Sequence, residues 1–109
     1  METDTPQSDT IDYRIGVGVL EAIVRGALTH DPRLRLHPAG LGRGRGLEVE
    51  ATADSCRVSL TLEARMGESL PSLGAWAQHE VAQTLADTTG LQVESVDVLF
   101  AGVFLPGEH

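Results

Sequence analysis

Histidine, cysteine and serine are where chemistry would have to start in this 109-residue chain, which has four histidines and one cysteine. His30, Asp31 and His37 lie close together and raise the question of a bound metal. Their H-x6-H spacing matches no established ligand pattern, and a structural zinc site draws on cysteines or on more histidines. Both histidines therefore read as loop or surface residues. Cys56 falls beside a predicted turn with Asp54 nearby, and a neighbouring carboxylate opposes the thiolate that a nucleophile needs. It reads as a small residue of a strand. Ser69 and His79 lack the G-x-S-x-G elbow that presents a nucleophilic serine. Gly40, Gly42, Gly44 and Gly46 align with neither G-x-G-x-x-G nor G-x-x-x-x-G-K-[ST], so they make a flexible loop rather than a phosphate cradle. The sequence assigns no catalytic, metal-binding or cofactor-binding residue, no cofactor, and no enzyme.

Charge is more informative. Arg33, Arg35, Arg43 and Arg45 fall between Asp31 and Glu48 with no acid among them, and beyond Arg65 only acidic charges occur. This polarity suits self-association, or docking of a Gly-Arg loop on an acidic surface such as lipid headgroups or nucleic acid. Against the last stand 16 acidic residues to 8 basic ones and a formal net charge of -8. A phosphate binder needs a basic face, and single-strand binding needs stacking aromatics, which make up 4% of the chain. A small nucleic-acid-binding module using the Gly-Arg loop is thus the alternative, and the disfavoured one.

The elements that would position these residues follow from apolar periodicity. Leu20, Ile23, Val24, Ala27 and Leu28 recur at helical spacing, and Pro32 ends that run, giving a helix over 17–29. Gly16, Gly18 and Gly26 weaken it, and a glycine on its inner face would permit close packing. The stretch 34–46 reads as a loop. Leu47, Val49 and Ala51, then Val58, Leu60, Leu62 and Ala64, alternate with polar residues and predict a hairpin turning at 53–55. A second helix follows, capped by Ser69 or Ser72, with Leu70, Leu73, Ala77, Val81, Leu85 and Thr88 inward and Trp76 at the edge of that stripe. Thr89-Gly90 closes it. The last strand carries Leu91, Val93, Val96, Val98, Phe100 and Val103, with a change of phase that predicts a bulge at Glu94-Ser95.

The expected fold is α+β: a two-layer domain in the order helix-strand-strand-helix-strand. Its sheet is three-stranded, mainly antiparallel or mixed, with both helices on one face. Residues 11–105 form that domain, Ile11 to Ile15 a short extended lead-in, and 1–10 and 106–109 polar tails. Cys56 can form no disulfide within the chain, the start lacks the basic and apolar regions of a secretory signal, and no apolar run approaches the ~20 residues of a membrane helix. A cytoplasmic protein with no direct membrane insertion is expected. The uncovered sheet face would present Glu48, Glu50 and Glu63, able to accept arginine from a neighbouring subunit. Leu99 and Val103 are expected to point opposite to Val96, leaving the last strand apolar on both faces and suited to packing a second copy of the chain.

Gly67-Glu68-Ser69-Leu70-Pro71, then Gln78, Val81, Thr89-Gly90-Leu91, Val96-Asp97-Val98 and Gly102-Val103 resemble, in order and spacing, the alkaline-shock-protein family of bacterial envelope stress response proteins. Gly46-Leu47-Glu48-Val49 and the first helix fit as well, so the resemblance spans roughly Tyr13 to Leu105. The segment His30 to Arg45 is longer than the family's usual link, and the Lys-rich tails of many members are missing. The resemblance implies a non-enzymatic, self-associating cytoplasmic scaffold or adaptor in envelope homeostasis or stress. It also implies a homo-oligomer, tethered in some relatives to the inner face of the membrane by a small membrane-anchored partner protein.

Overall fold

The computed structural model describes residues 14–38 and 46–107. Helix α1 spans Val17–Leu28 and buries Leu20, Val24 and Leu28, the i, i+4, i+8 row that its apolar spacing requires. It stops before Pro32, as expected. Strand β1 is Leu34–Leu36, β2 Leu47–Ala51 and β3 Ser55–Arg65. Helix α2 runs Leu70–Thr89, and β4 runs Gln92–Phe104. The Ser69 hydroxyl caps α2 by accepting from the Ser72 amide, and Gly90 ends it in a left-handed conformation with φ 77°. Leu73, Ala77, Val81 and Leu85 form its buried stripe, whereas Leu70 and Thr88, expected inward, are exposed.

Strand β3 is the centre of a mixed sheet. It pairs antiparallel with β1 and β2 on one side and parallel with β4 on the other, α2 being the crossover between the two parallel strands. The helices pack together on one face, where Leu20, Val24 and Leu28 meet Leu73, Val81 and Leu85 and the inward row Cys56, Val58, Leu60, Leu62 and Ala64. The two-layer α+β arrangement is the expected one, with one strand added.

That strand is β1, in a stretch read from sequence as loop. Its register on β3 (Leu34 with Ala64, Leu36 with Leu62) continues directly into that of β2 (Leu47 with Leu60). Between them the His37 amide donates to the Thr61 carbonyl and the Thr61 amide to the Gly46 carbonyl, at 2.8 and 2.9 Å. So β1 and β2 are two parts of one edge, with His37 and Gly46 meeting opposite Thr61. Glycine at position 46 is required by this junction, because a Cβ there would collide with the His37 carbonyl oxygen. The glycines of α1 have no such role: nothing lies within 4 Å of a Cβ built at Gly16, Gly18 or Gly26. The helical glycine with a neighbour is Gly74, where a Cβ would meet the Phe100 ring at 3.4 Å.

Strand β4 slips twice against β3. Cys56 aligns with Val93 but Arg57 with Ser95, which is the bulge at Glu94-Ser95 foreseen in the sequence. Further on, Leu62 aligns with Phe100 but Glu63 with Gly102, so Ala101 is a second extra residue. This second slip corrects one expectation. Leu99 aligns with Thr61 on the uncovered face, but Val103 aligns with Ala64 on the helix side. The two residues lie on opposite faces.

Candidate interaction surface

The uncovered face of the sheet has two different ends. At one, Glu48, Ser59 and Asp97 lie in a row across three strands, and Glu50 stands beside Arg57. Arg57 Nε donates to Glu94 Oε1 at 2.9 Å, which holds the Glu94 carboxyl below its usual range. Glu48, Glu50 and Asp97 are exposed and leave this end acidic.

At the other end, and beside it on the helix side where Arg33 lies, the arginines are already engaged. Arg33 forks onto Asp31, with Nη2 to Oδ2 at 2.6 Å and Nε to Oδ1 at 2.9 Å, and stacks over Trp76 at 5.1 Å. The guanidinium lowers the Asp31 pKa from the ordinary carboxylate value. Arg35 Nε donates to Glu63 Oε1 at 2.7 Å while lying 4.4 Å over the Phe104 ring, and His37 Nδ1 meets Glu63 Oε2 at 3.0 Å. Glu63, with a side chain only 14% exposed, is held ionised to lower pH mainly by Arg35 and further by His37, against the opposing effect of burial. It therefore serves its own edge strand, and the sheet leaves it little surface to offer a neighbour. Arg65 binds Glu68 at 2.7 Å. Of the four loop arginines expected to face a partner, Arg33 and Arg35 are neutralised within the chain, and Arg43 and Arg45 lie outside the described residues. So do residues 1–10 and most of the predicted lead-in; Arg14 and Ile15 belong to no strand.

The histidines of the sequence do not converge. His30 lines a groove of about 370 Å³ with Gly26, Ala27, Asp31, Pro32, Trp76 and Glu80, while His37 sits on the sheet with Glu63. Among the described residues no three His, Cys, Asp or Glu side chains group as a metal ion would need. Cys56 is buried in β3, and burial, with a smaller contribution from the Glu94 charge, raises its thiol pKa, which favours the inert form. A cleft of about 700 Å³ lies between the start of α1, the β2–β3 turn and the end of α2, with Arg14 and Asp54 on its walls.

Large apolar side chains are exposed at Val17 and Val19 of α1 and, in greater number, along the second half of β4 and beside its end. Leu99 is 63% exposed on the uncovered face, Val103 53% exposed on the helix side, and Leu105, Met66 and Leu70 add to it. The Met66 amide donates to the Phe104 carbonyl, which ties the turn before α2 to the end of β4. Sequence reasoning singled out Leu99 and Val103 but not Met66 or Leu105, whose neighbourhood depends on the parallel pairing of β3 with β4.

Among the described residues no helix is long and apolar enough to cross a membrane. No family model matches the chain, and no curated protein and no solved structure matches it.

Proposed function

We propose that this protein is a non-enzymatic, self-associating scaffold or adaptor of the alkaline-shock type, acting in the cytoplasm in cell-envelope homeostasis or stress. The observation that carries the self-association is the exposure of Leu99, 63% open in the middle of β4 on the face that no helix covers. Exposed apolar surface is covered by association at a gain of roughly 25 cal/mol per Å² before the costs of ordering. The envelope role and a small membrane-anchored partner follow from the sequence resemblance alone. The internal pairing of Arg33 and Arg35 favours the scaffold over the nucleic-acid module, since those charges are not free to meet phosphates.

Sedimentation velocity over a wide concentration range tests the reading. The wild type should form oligomers, and Leu99→Asp should shift it to a monomer with an unchanged circular dichroism spectrum. Weak binding of single-stranded RNA, no tighter than ~0.1 mM at physiological salt, should accompany this. A wild type that stays monomeric at every concentration, or that binds RNA at micromolar concentration, overturns it.

A further inference from the structure

The two long edges of the sheet are not alike. On the β1–β2 side the edge is made of two short strands, Leu34–Leu36 and Leu47–Ala51, and short edge strands are one of the devices that discourage the docking of another strand. On the other side, β4 has no strand partner beyond β3 among the described residues. Gln78 shows which way its peptide groups face, because its Nε2 donates to the Val96 carbonyl at 3.0 Å, on the side away from β3. Gln92 and Phe104, by contrast, turn toward β3: the Gln92 amide donates to Asp54, and the Phe104 carbonyl accepts from Met66. Alternation along the regular stretch from Val96 to Phe100 then directs the N–H and C=O of Val98 and Phe100 outward and leaves those of Asp97 and Leu99 in the ladder with β3. The segment 98–104 holds no charge and no proline, the two devices that most often protect an open edge.

We propose that this edge takes β4 of a second copy, antiparallel, about a two-fold axis passing through Leu99. The proposal rests on the self-association reading and specifies its geometry. A two-fold normal to the sheet brings like faces together, so each residue must oppose one from the same face. Centring on Asp97 would oppose two carboxylates, and centring on Val98 would demand the Val96 carbonyl that Gln78 already occupies. Centring on Leu99 avoids both. Val98 and Phe100 of the two copies then exchange hydrogen bonds on either side of the axis, Asp97 faces Ala101, and Leu99, the most exposed large apolar side chain among the described residues, packs on its own copy. Because the β1–β2 edge is divided between two short strands, the pairing closes as a dimer instead of propagating from sheet to sheet. Each chain carries a net charge of -8, so the two copies repel, and added salt tightens the dimer by screening.

Cysteine cross-linking in a Cys56→Ala background tests the register. The central pair is a non-hydrogen-bonded one with Cα atoms about 4.5 Å apart, within the span of a disulfide. Leu99→Cys should oxidise to a disulfide dimer several-fold faster than Asp97→Cys. A mixture of Asp97→Cys and Ala101→Cys chains should cross-link faster than either chain alone. Leu99→Lys, which sets two ammonium groups face to face, should dissociate the dimer while keeping the wild-type circular dichroism spectrum, with a urea midpoint that no longer depends on protein concentration. Oligomers that persist with no preference for Leu99→Cys, or that weaken as salt rises, overturn the β4 pairing and leave self-association standing. A wild type that is monomeric throughout removes both.

Discussion

Replacing Glu63 with glutamine tests how the edge strand is held. Glu63 is the one side chain that ties both Arg35 of β1 and His37 beyond it to β3, through contacts of 2.7 and 3.0 Å. An exposed ion pair contributes about 0–1 kcal/mol and a buried one loses about 3–5 when a partner is removed. Glu63 is mostly buried, while Arg35 is 39% exposed, which places the pair between those limits. Glutamine keeps one acceptor and the shape, so Glu63→Gln should cost about 1–2 kcal/mol at neutral pH, the range expected for losing the charge from such hydrogen bonds. The assay is urea unfolding of both proteins from pH 7 down to pH 3. The folded-state pKa of Glu63 is depressed, so its stabilisation is fully present above the unfolded carboxylate pKa and disappears as pH falls through the lower folded value. The stability difference should therefore shrink toward zero in acid. Equal stability at pH 7, or a difference that stays constant down to pH 3, would refute the assignment.

Further outcomes follow from the packing. Gly46→Ala should destabilise by about 1–3 kcal/mol, because its methyl group must displace backbone and not a flexible side chain; thermal denaturation measures it, and an unchanged midpoint would show that the junction yields freely. In the native protein Cys56 should resist iodoacetamide and should react at the rate at which the chain opens, since the thiol is 2% exposed and its pKa is raised by burial. Fast labelling under native conditions, followed by mass spectrometry, would contradict that placement.

The helices, the hairpin and the first bulge were legible because polar residues marked their phase. Glu94 and Asp97 interrupt the alternation of β4 and so betray the slip beside Ser95. The second slip, at Ala101, lies within Leu99-Phe100-Ala101-Gly102-Val103, where no polar side chain distinguishes one face from the other. Val103 was consequently assigned to the face of Leu99. Strand β1 escaped for a different reason. Three residues, Leu34–Leu36, give too short a pattern, and what stabilises them is supplied by Glu63 and Thr61 from a remote part of the chain. The same distance in sequence made Arg35 look unpaired. Of the candidate surface, the exposure of Leu99 is visible from alternation, while the placing of Met66 beside the end of β4 depends on the parallel strand order.

Because His37 and Gly46 are both fastened to Thr61, the register of the edge does not depend on the length of chain between them. Extending the segment would add only a ring-closure cost of about 0.6 kcal/mol for each doubling, with no strand shifted. The edge thus offers a socket: a peptide epitope, a reporter sequence or a second folded module could be spliced between Pro38 and Gly46. It would leave from the margin of the sheet opposite β4, so cargo placed there and a copy paired at the other margin would not compete for room.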